Sequence, residues 1–90
     1  MRLGSDRFAW QALVALARMG HPRARSRILR DLGSWSRDKR TLAVAAAGRA
    51  RVTEALPLVR AMKGDERRAE PSAVDLTLEL LGQGEVLLPA

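Results

Sequence analysis

The residues able to do chemistry are few and poorly placed to do it together. The chain has one histidine, His21, and no cysteine. His21 stands in a turn immediately before Pro22. General acid–base and metal chemistry need several groups converging on one point, and nothing is spaced to join His21. Asp75 and Glu79 lie one helical turn apart and would flank a cation, but two carboxylates on an exposed helix arc are usually just solvated. Gly82-Gln83-Gly84 is not a dinucleotide fingerprint, because no strand leads into it and no helix follows. The absence of cysteine excludes disulfides and thiolate metal sites and is compatible with a reducing cytoplasm. The chain therefore reads as a non-enzyme with no catalytic residues, cofactor, metal or small-molecule substrate. A catalytic role would need a composite site shared with another chain.

Cations are abundant instead. The net charge is +6, but it is unevenly spread: +7 over residues 1–40, +3 over 41–68 and −4 over 69–90. A basic body with an acidic end points to an acidic partner for the body or to self-association. Solubility alone is the plainer explanation of the same charge. Arg23, Arg27 and Arg30 recur at i, i+4, i+7 and share a helix face, and Arg60 and Lys63 lie off the apolar stripe of a later helix. Guanidinium groups match both phosphate and carboxylate. These five are the candidate residues for an acidic or phosphate-bearing partner.

These side chains must be carried by helices. Alanine, leucine and arginine dominate, while aromatic and β-branched residues are few. Apolar positions predict a first helix over about 5–19, with Ser5 as cap. In it Phe8, Ala12, Ala15 and Met19 lie about a quarter-turn from the arc of Arg7, Gln11 and Arg18, and Trp10, Leu13, Val14 and Ala17 fill much of the remainder. Gly20 ends this helix and Pro22 opens the next, which carries the stripe Ala24, Ile28, Leu29, Leu32 and stops at Gly33. Ser36 caps a third helix over about 37–47, alanine-rich all round, where Lys39 and Arg40 conflict with the dipole of the first turn. A turn from Gly48 to Val52 leads to a fourth helix, capped by Thr53, with the stripe Ala55, Leu58, Val59, Met62 and a stop at Gly64. Residues 65–70 form a charged connector. Ser72-Ala73-Val74-Asp75 resembles a capping box opening a fifth helix to about Leu81. That helix has two stripes, Val74-Leu78-Leu81 and Leu76-Leu80, with Thr77 on the other side.

The chain also repeats. Sliding it by about thirty positions lays Ile28-Leu29-Arg30 on Leu58-Val59-Arg60, Leu32 on Met62, and Ala15 and Ala17 on Ala45 and Ala47. The link Ala17-Arg18-Met19-Gly20-His21-Pro22-Arg23-Ala24 and the helix start Glu54-Ala55-Leu56-Pro57-Leu58-Val59 resemble those of HEAT repeats, in particular the short bacterial lyase-type variety. The resemblance covers about residues 5–82. It departs from the family at His21, where aspartate is frequent, and in the second turn, which lacks the proline. It implies an all-α, right-handed HEAT-like α-solenoid of about five helices in a single domain over 1–90. Repeat one would span about 5–33, repeat two about 36–64, a half repeat 72–82 and a tail 83–90. It also implies that the second helix of each pair lines a concave surface, where Arg23, Arg27, Arg30, Arg60 and Lys63 would meet.

No apolar run approaches the ~20 residues of a membrane helix, and the first residues do not read as a signal peptide, so the expectation is a cytoplasmic protein without a membrane span. Repeat stacks usually bind other proteins, and their terminal repeats carry a polar outer face. Helices one and five both look unfinished by that standard. The expected function is a non-catalytic protein–protein interaction module: a small adaptor or subunit that binds a partner chain or its own copy. Its apolar contacts would be Trp10, Leu76, Leu80, Val86, Leu87 and Leu88, with the arginine-rich face beside them. The alternative is binding of a nucleic-acid phosphate backbone through the basic concave face. Against that alternative, no aromatic stands out as free to stack on bases.

Overall fold

The computed structural model describes the backbone of residues 3–86 and the side chains of residues 8–82. The described residues are all-helical: α1 (Leu3–Arg18), α2 (Pro22–Asp31), α3 (Arg37–Ala50), α4 (Leu56–Arg60) and α5 (Pro71–Val86), with a single 3-10 turn (Thr53–Ala55) leading into α4 and no strand. α3 is the helix the others share, since it contacts α1, α2 and α5, while α2 also packs on α1 and α4 on α5. The core is made of small and β-branched side chains. Ile28, Val44, Val52, Val59, Val74 and Thr77 are its largest fully buried members, and Ala17, Ala24, Ala43, Ala46, Ala47, Ala50, Ala55 and Ala69 fill the space between. Alanines at these positions let helix axes approach closely, which compensates for the few bulky residues available.

Two turns share one geometry. Gly20 adopts φ +89°, and Arg51 adopts φ +55° as the only non-glycine in the left-handed region among the described residues. Gly20 N–H donates to Ala17 O at 3.0 Å and His21 N–H to Leu16 O at 2.9 Å. Thirty-one residues later Arg51 N–H donates to Gly48 O at 3.3 Å and Val52 N–H to Ala47 O at 3.0 Å. Both turns thus satisfy the orphan carbonyls of a helix end by the same left-handed closure. The register between the two units is therefore 31 residues here, which pairs the buried Ala24 with Ala55 and Ile28 with Val59. A shift of thirty instead pairs Ile28 with Leu58, which is exposed.

Several helix ends differ from the sequence expectation. α3 does not stop before Gly48 but runs through it to Ala50. Gly48 is buried, and a Cβ built on it would lie 2.9 Å from Thr77 Oγ1, 3.2 Å from Leu80 Cδ1 and 3.3 Å from Thr77 Cα. The glycine is there for close approach of α5, not as a stop signal. Thr53 is no cap; it lies inside the 3-10 turn, and α4 gives way to turns over 61–64 after only five residues. α5 begins at Pro71, so Ser72 is inside it, and the expected capping box is replaced by Glu70, whose Oε1 accepts from Ser72 N–H at 3.4 Å and from its hydroxyl at 3.0 Å. Ser36 does cap α3, accepting from Lys39 N–H at 3.3 Å.

For Arg40, the dipole conflict in the first turn of α3 is offset by carbonyls. Arg40 donates to Ser34 O at 2.7 Å, Arg68 O at 2.6 Å and Arg67 O at 3.1 Å. Arg37 donates to Glu66 O at 2.9 Å, and Glu70 N–H donates to Thr41 Oγ1 at 3.0 Å. The side chains of one helical turn thereby hold the loop before α3 and the connector before α5 side by side.

Candidate interaction surfaces

α1 has two apolar faces, and the fold buries one of them. Ala17 is fully buried, and Trp10, Leu13 and Val14 are half-buried against the core. Trp10 is thus chiefly an internal packing residue and not the bare apolar contact expected of it. The opposite face is open. Phe8 is 75% exposed, Met19 79% and Leu16 41%, with Ala12 and Ala15 exposed between them. At 100° per residue Phe8, Ala12, Ala15 and Met19 fall within an arc of about 60°. Nothing else among the described residues packs on this arc as part of the core.

α5 is arranged differently. Val74, Thr77 and Leu81 are buried, and Leu78 is half-buried against the core. Thr77, expected on the far side, is the centre of the α3–α5 contact, and its hydroxyl donates to Val44 O at 2.9 Å. Leu80 does not form a bare second stripe with Leu76. It is half-buried, with Cδ1 close against Gly48. Leu76 alone is exposed, at 57%, and the rest of the outer arc is Ser72, Asp75 and Glu79. Leu87 and Leu88 lie outside the described residues, as does the side chain of Val86.

The cations divide into groups. Arg23, Arg27 and Arg30 line one open groove between α1 and α2, together with Leu13, Leu16 and His21. Arg27 also pairs with Asp31 along the helix at 3.3 Å. Lys63 is turned to α5, where it pairs with Asp75 at 2.9 Å. In the 31-residue register Arg60 stands at the position of Leu29, and Leu58 at that of Arg27. The arginine arc of α2 is therefore not continued on α4. Arg25, which the sequence did not single out, reaches from α2 to the second unit: it donates to Glu54 Oε1 at 2.5 Å and to Ala17 O at 3.4 Å. The Glu54 carboxyl is held below the usual carboxylate range, first by a hydrogen bond from its own backbone N–H; burial pushes the other way, and the Arg25 guanidinium adds a further lowering.

His21 is exposed and precedes Pro22 at the extended position that opens α2, where its carbonyl accepts from Arg25 N–H at 3.1 Å. No group of three or more potential ligands is brought together among the described residues, and no helix there is long and apolar enough to cross a membrane. One surface feature escaped the sequence. Trp35, in the loop between α2 and α3, is 97% exposed, so an aromatic ring is free after all.

Comparison of the chain with family models, with curated proteins and with solved structures finds no match.

Proposed function

We propose that this chain is a non-catalytic protein-interaction module, built as a short HEAT-like solenoid stack, and that its principal docking surface is the outer face of α1. The observation that carries the reading is the open arc of Phe8, Ala12, Ala15 and Met19. A helix buried on one side and apolar on the other is in the position of an internal helix lacking its neighbour. Contiguous apolar patches of several hundred Å² on small domains commonly mark interaction sites. The repeated turn geometry, 31 residues apart, supports the stack. With Leu80 packed on Gly48, the helix-five contribution reduces to Leu76.

The test is capture of a defined partner on the immobilised chain after nuclease treatment, with stepwise salt elution. Binding through α1 survives high salt and is lost in Phe8→Asp. Retention unchanged in both Phe8→Asp and Met19→Asp overturns the reading.

A second reading has its own observation. Trp35 offers a stacking surface, and the groove lined by Arg23, Arg27 and Arg30 offers three phosphate contacts. Stacking on an aromatic contributes about 1–3 kcal/mol per base. Three neutralised phosphates give a log–log salt slope of about −2 on a single strand. Fluorescence anisotropy with a labelled single-stranded oligonucleotide measures both. Binding that is indifferent to salt, or unchanged in Trp35→Ala, removes this alternative.

A further inference from the structure

We infer that the outer stripe of α1 is a self-complementary seam on which a second copy of this chain docks antiparallel. The inference rests on the interaction reading above and names its partner. It starts from the order of side chains. The exposed residues run large, small, small, large: Phe8, Ala12, Ala15, Met19, with spacings of four, three and four. That pattern reads the same from either end, because its centre lies midway between Ala12 and Ala15. A two-fold axis placed at this centre lays Phe8 of one copy on Met19 of the other and Ala12 on Ala15. Isologous interfaces require such self-complementarity. Most apolar stripes lack it, since a two-fold axis brings their large residues together or leaves gaps.

The geometry suits a helix pair. The two alanines sit at the crossing point, where small side chains allow the shortest axis separation, toward the lower end of the usual 8–10 Å. Phe8 and Met19 stand about 16 Å apart along the axis and close the two ends of the contact with a thioether against an aromatic ring. By helical spacing Arg7 and Arg18 flank the same side of the stripe, so the two-fold places Arg18 about 13 Å along the seam from its counterpart but only about 3 Å along it from the Arg7 position of the second copy, and like charges meet on that edge. Leu16 widens the seam on one side.

The area decides the strength. Phe8 and Met19 are about three-quarters exposed, and Leu16 less than half. With the alanines they offer at most roughly 400–500 Å² per copy, hence about 800–1,000 Å² across the pair, below the ~1,200 Å² of stable interfaces and in the range of weak, transient encounters. The dimer is therefore weak and dynamic, with a dissociation constant on the order of 100 µM. Each chain carries +6, so mutual repulsion is relieved by salt. Self-docking strengthens as salt rises, opposite in sign to phosphate binding.

Sedimentation equilibrium from about 10 µM to about 1 mM tests this. The mass of the wild type rises from monomer towards dimer and goes no further. Phe8→Asp and Met19→Asp, both at exposed positions and each checked for helicity, weaken the dimer at least tenfold. Because the chain lacks cysteine, direction is read by oxidation. A mixture of Ala12→Cys and Ala15→Cys chains cross-links more than either alone. A monomer at every concentration overturns the inference, as does a dimer that both aspartate variants retain, or cross-linking by Ala12→Cys alone as efficient as in the mixture. A chain that stays monomeric yet loses a different partner in Phe8→Asp refutes self-docking while leaving the interaction reading standing.

Discussion

α1 and α5 both contact α3, yet their outward faces are opposites. The outward face of α1 is Phe8, Ala12, Ala15 and Met19; that of α5 is Ser72, Asp75 and Glu79 with Leu76 at the margin. A polar outer face is what allows a helix to end a stack in water. By that measure the described outer face of α5 is polar and that of α1 is not. The inward faces differ in kind too. α5 is fitted to α3 by the contact of Gly48 with Thr77 and by one buried hydroxyl bond, whereas α1 lies on the core through half-buried Trp10, Leu13 and Val14. Apart from Leu76, the described apolar side chains of α5 are committed to the core. Those on the outside of α1 are free for something else.

The largest expected effect breaks the fit of α5 to α3. In Gly48→Val the added Cβ would meet Thr77 Oγ1 at 2.9 Å and the Thr77 backbone at 3.3 Å. Neither atom belongs to a flexible chain end, so α5 must shift. Overpacking of this kind costs about 2–3 kcal/mol, which for a domain of this size lowers Tm by roughly 10–20 °C. Met19→Ser, in the turn just beyond α1, removes an apolar side chain of greater volume but leaves stability within about 0.5 kcal/mol. Thermal melts of the two variants compare the ends directly. Equal melting shifts would mean that the outer face of α1 is part of the fold.

Thr77→Val sharpens the same contrast at constant volume. It removes the hydroxyl that donates to Val44 O and keeps the packing. Val44 O retains its helical partner, so the expected loss is that of one buried bond, about 1 kcal/mol, read as a lower denaturant midpoint at unchanged slope. Leu76→Ser, one residue away on the outer arc, leaves the midpoint nearly unmoved.

The sequence made the helices legible and left their mutual fit largely hidden. Periodicity located five helices and the inward positions Ala24, Ile28, Val59 and Val74, because a buried stripe must recur at helical spacing whatever covers it. It could not say which apolar face of α1 points inward, since Trp10, Leu13, Val14 and Ala17 are as apolar as Phe8, Ala12, Ala15 and Met19. Gly48 read as a stop because a glycine that ends a helix and one that admits a neighbour are the same letter. Thr77 looked peripheral by polarity, and only a carbonyl 33 residues away gives its hydroxyl a place inside. Arg40 seemed misplaced at a helix start until the carbonyls of Arg67 and Arg68, 27 and 28 residues on, came within reach. Each failure concerns a partner distant in sequence, which local pattern does not encode. The arginine set shows the same limit: Arg23, Arg27 and Arg30 share a groove, as one helix dictates, but Arg60 ends α4 and Lys63 lies in the turns after it, so their directions depend on the register of the second half of the chain.

The two turns allow a smaller comparison between the units themselves. Gly20 takes its left-handed conformation without penalty, whereas Arg51 holds a similar one with a Cβ. Arg51→Gly should stabilise the chain by about 0.5–1 kcal/mol and Gly20→Ala should destabilise it by about 1 kcal/mol. No atom lies within 4 Å of the Cβ that Gly20→Ala adds, so its cost isolates backbone strain from crowding. If both substitutions moved stability in the same direction, the two turns would not be equivalent and the 31-residue register would lose its main support.

The smallest effect joins the units. Arg25 on α2 and Glu54 before α4 form the ion pair that crosses from the first unit to the second, with Glu54 more than half exposed. The Glu54 carboxyl is held below its ordinary value, mainly by its own backbone N–H, with burial opposing and Arg25 adding a smaller lowering. A lowered carboxylate pKa contributes stability above its unfolded value, about 4.3, and that contribution disappears as pH falls through the folded value. Wild type minus Glu54→Gln should therefore show a small positive difference in stability at neutral pH that shrinks as pH falls below about 4.3 and through the lowered folded value. Exposure and screening keep it within about 1 kcal/mol. Denaturant midpoints of both proteins at pH 7 and pH 3 measure it. A difference that does not shrink between pH 7 and pH 3 would assign the contribution to the shape of the side chain and not to its charge.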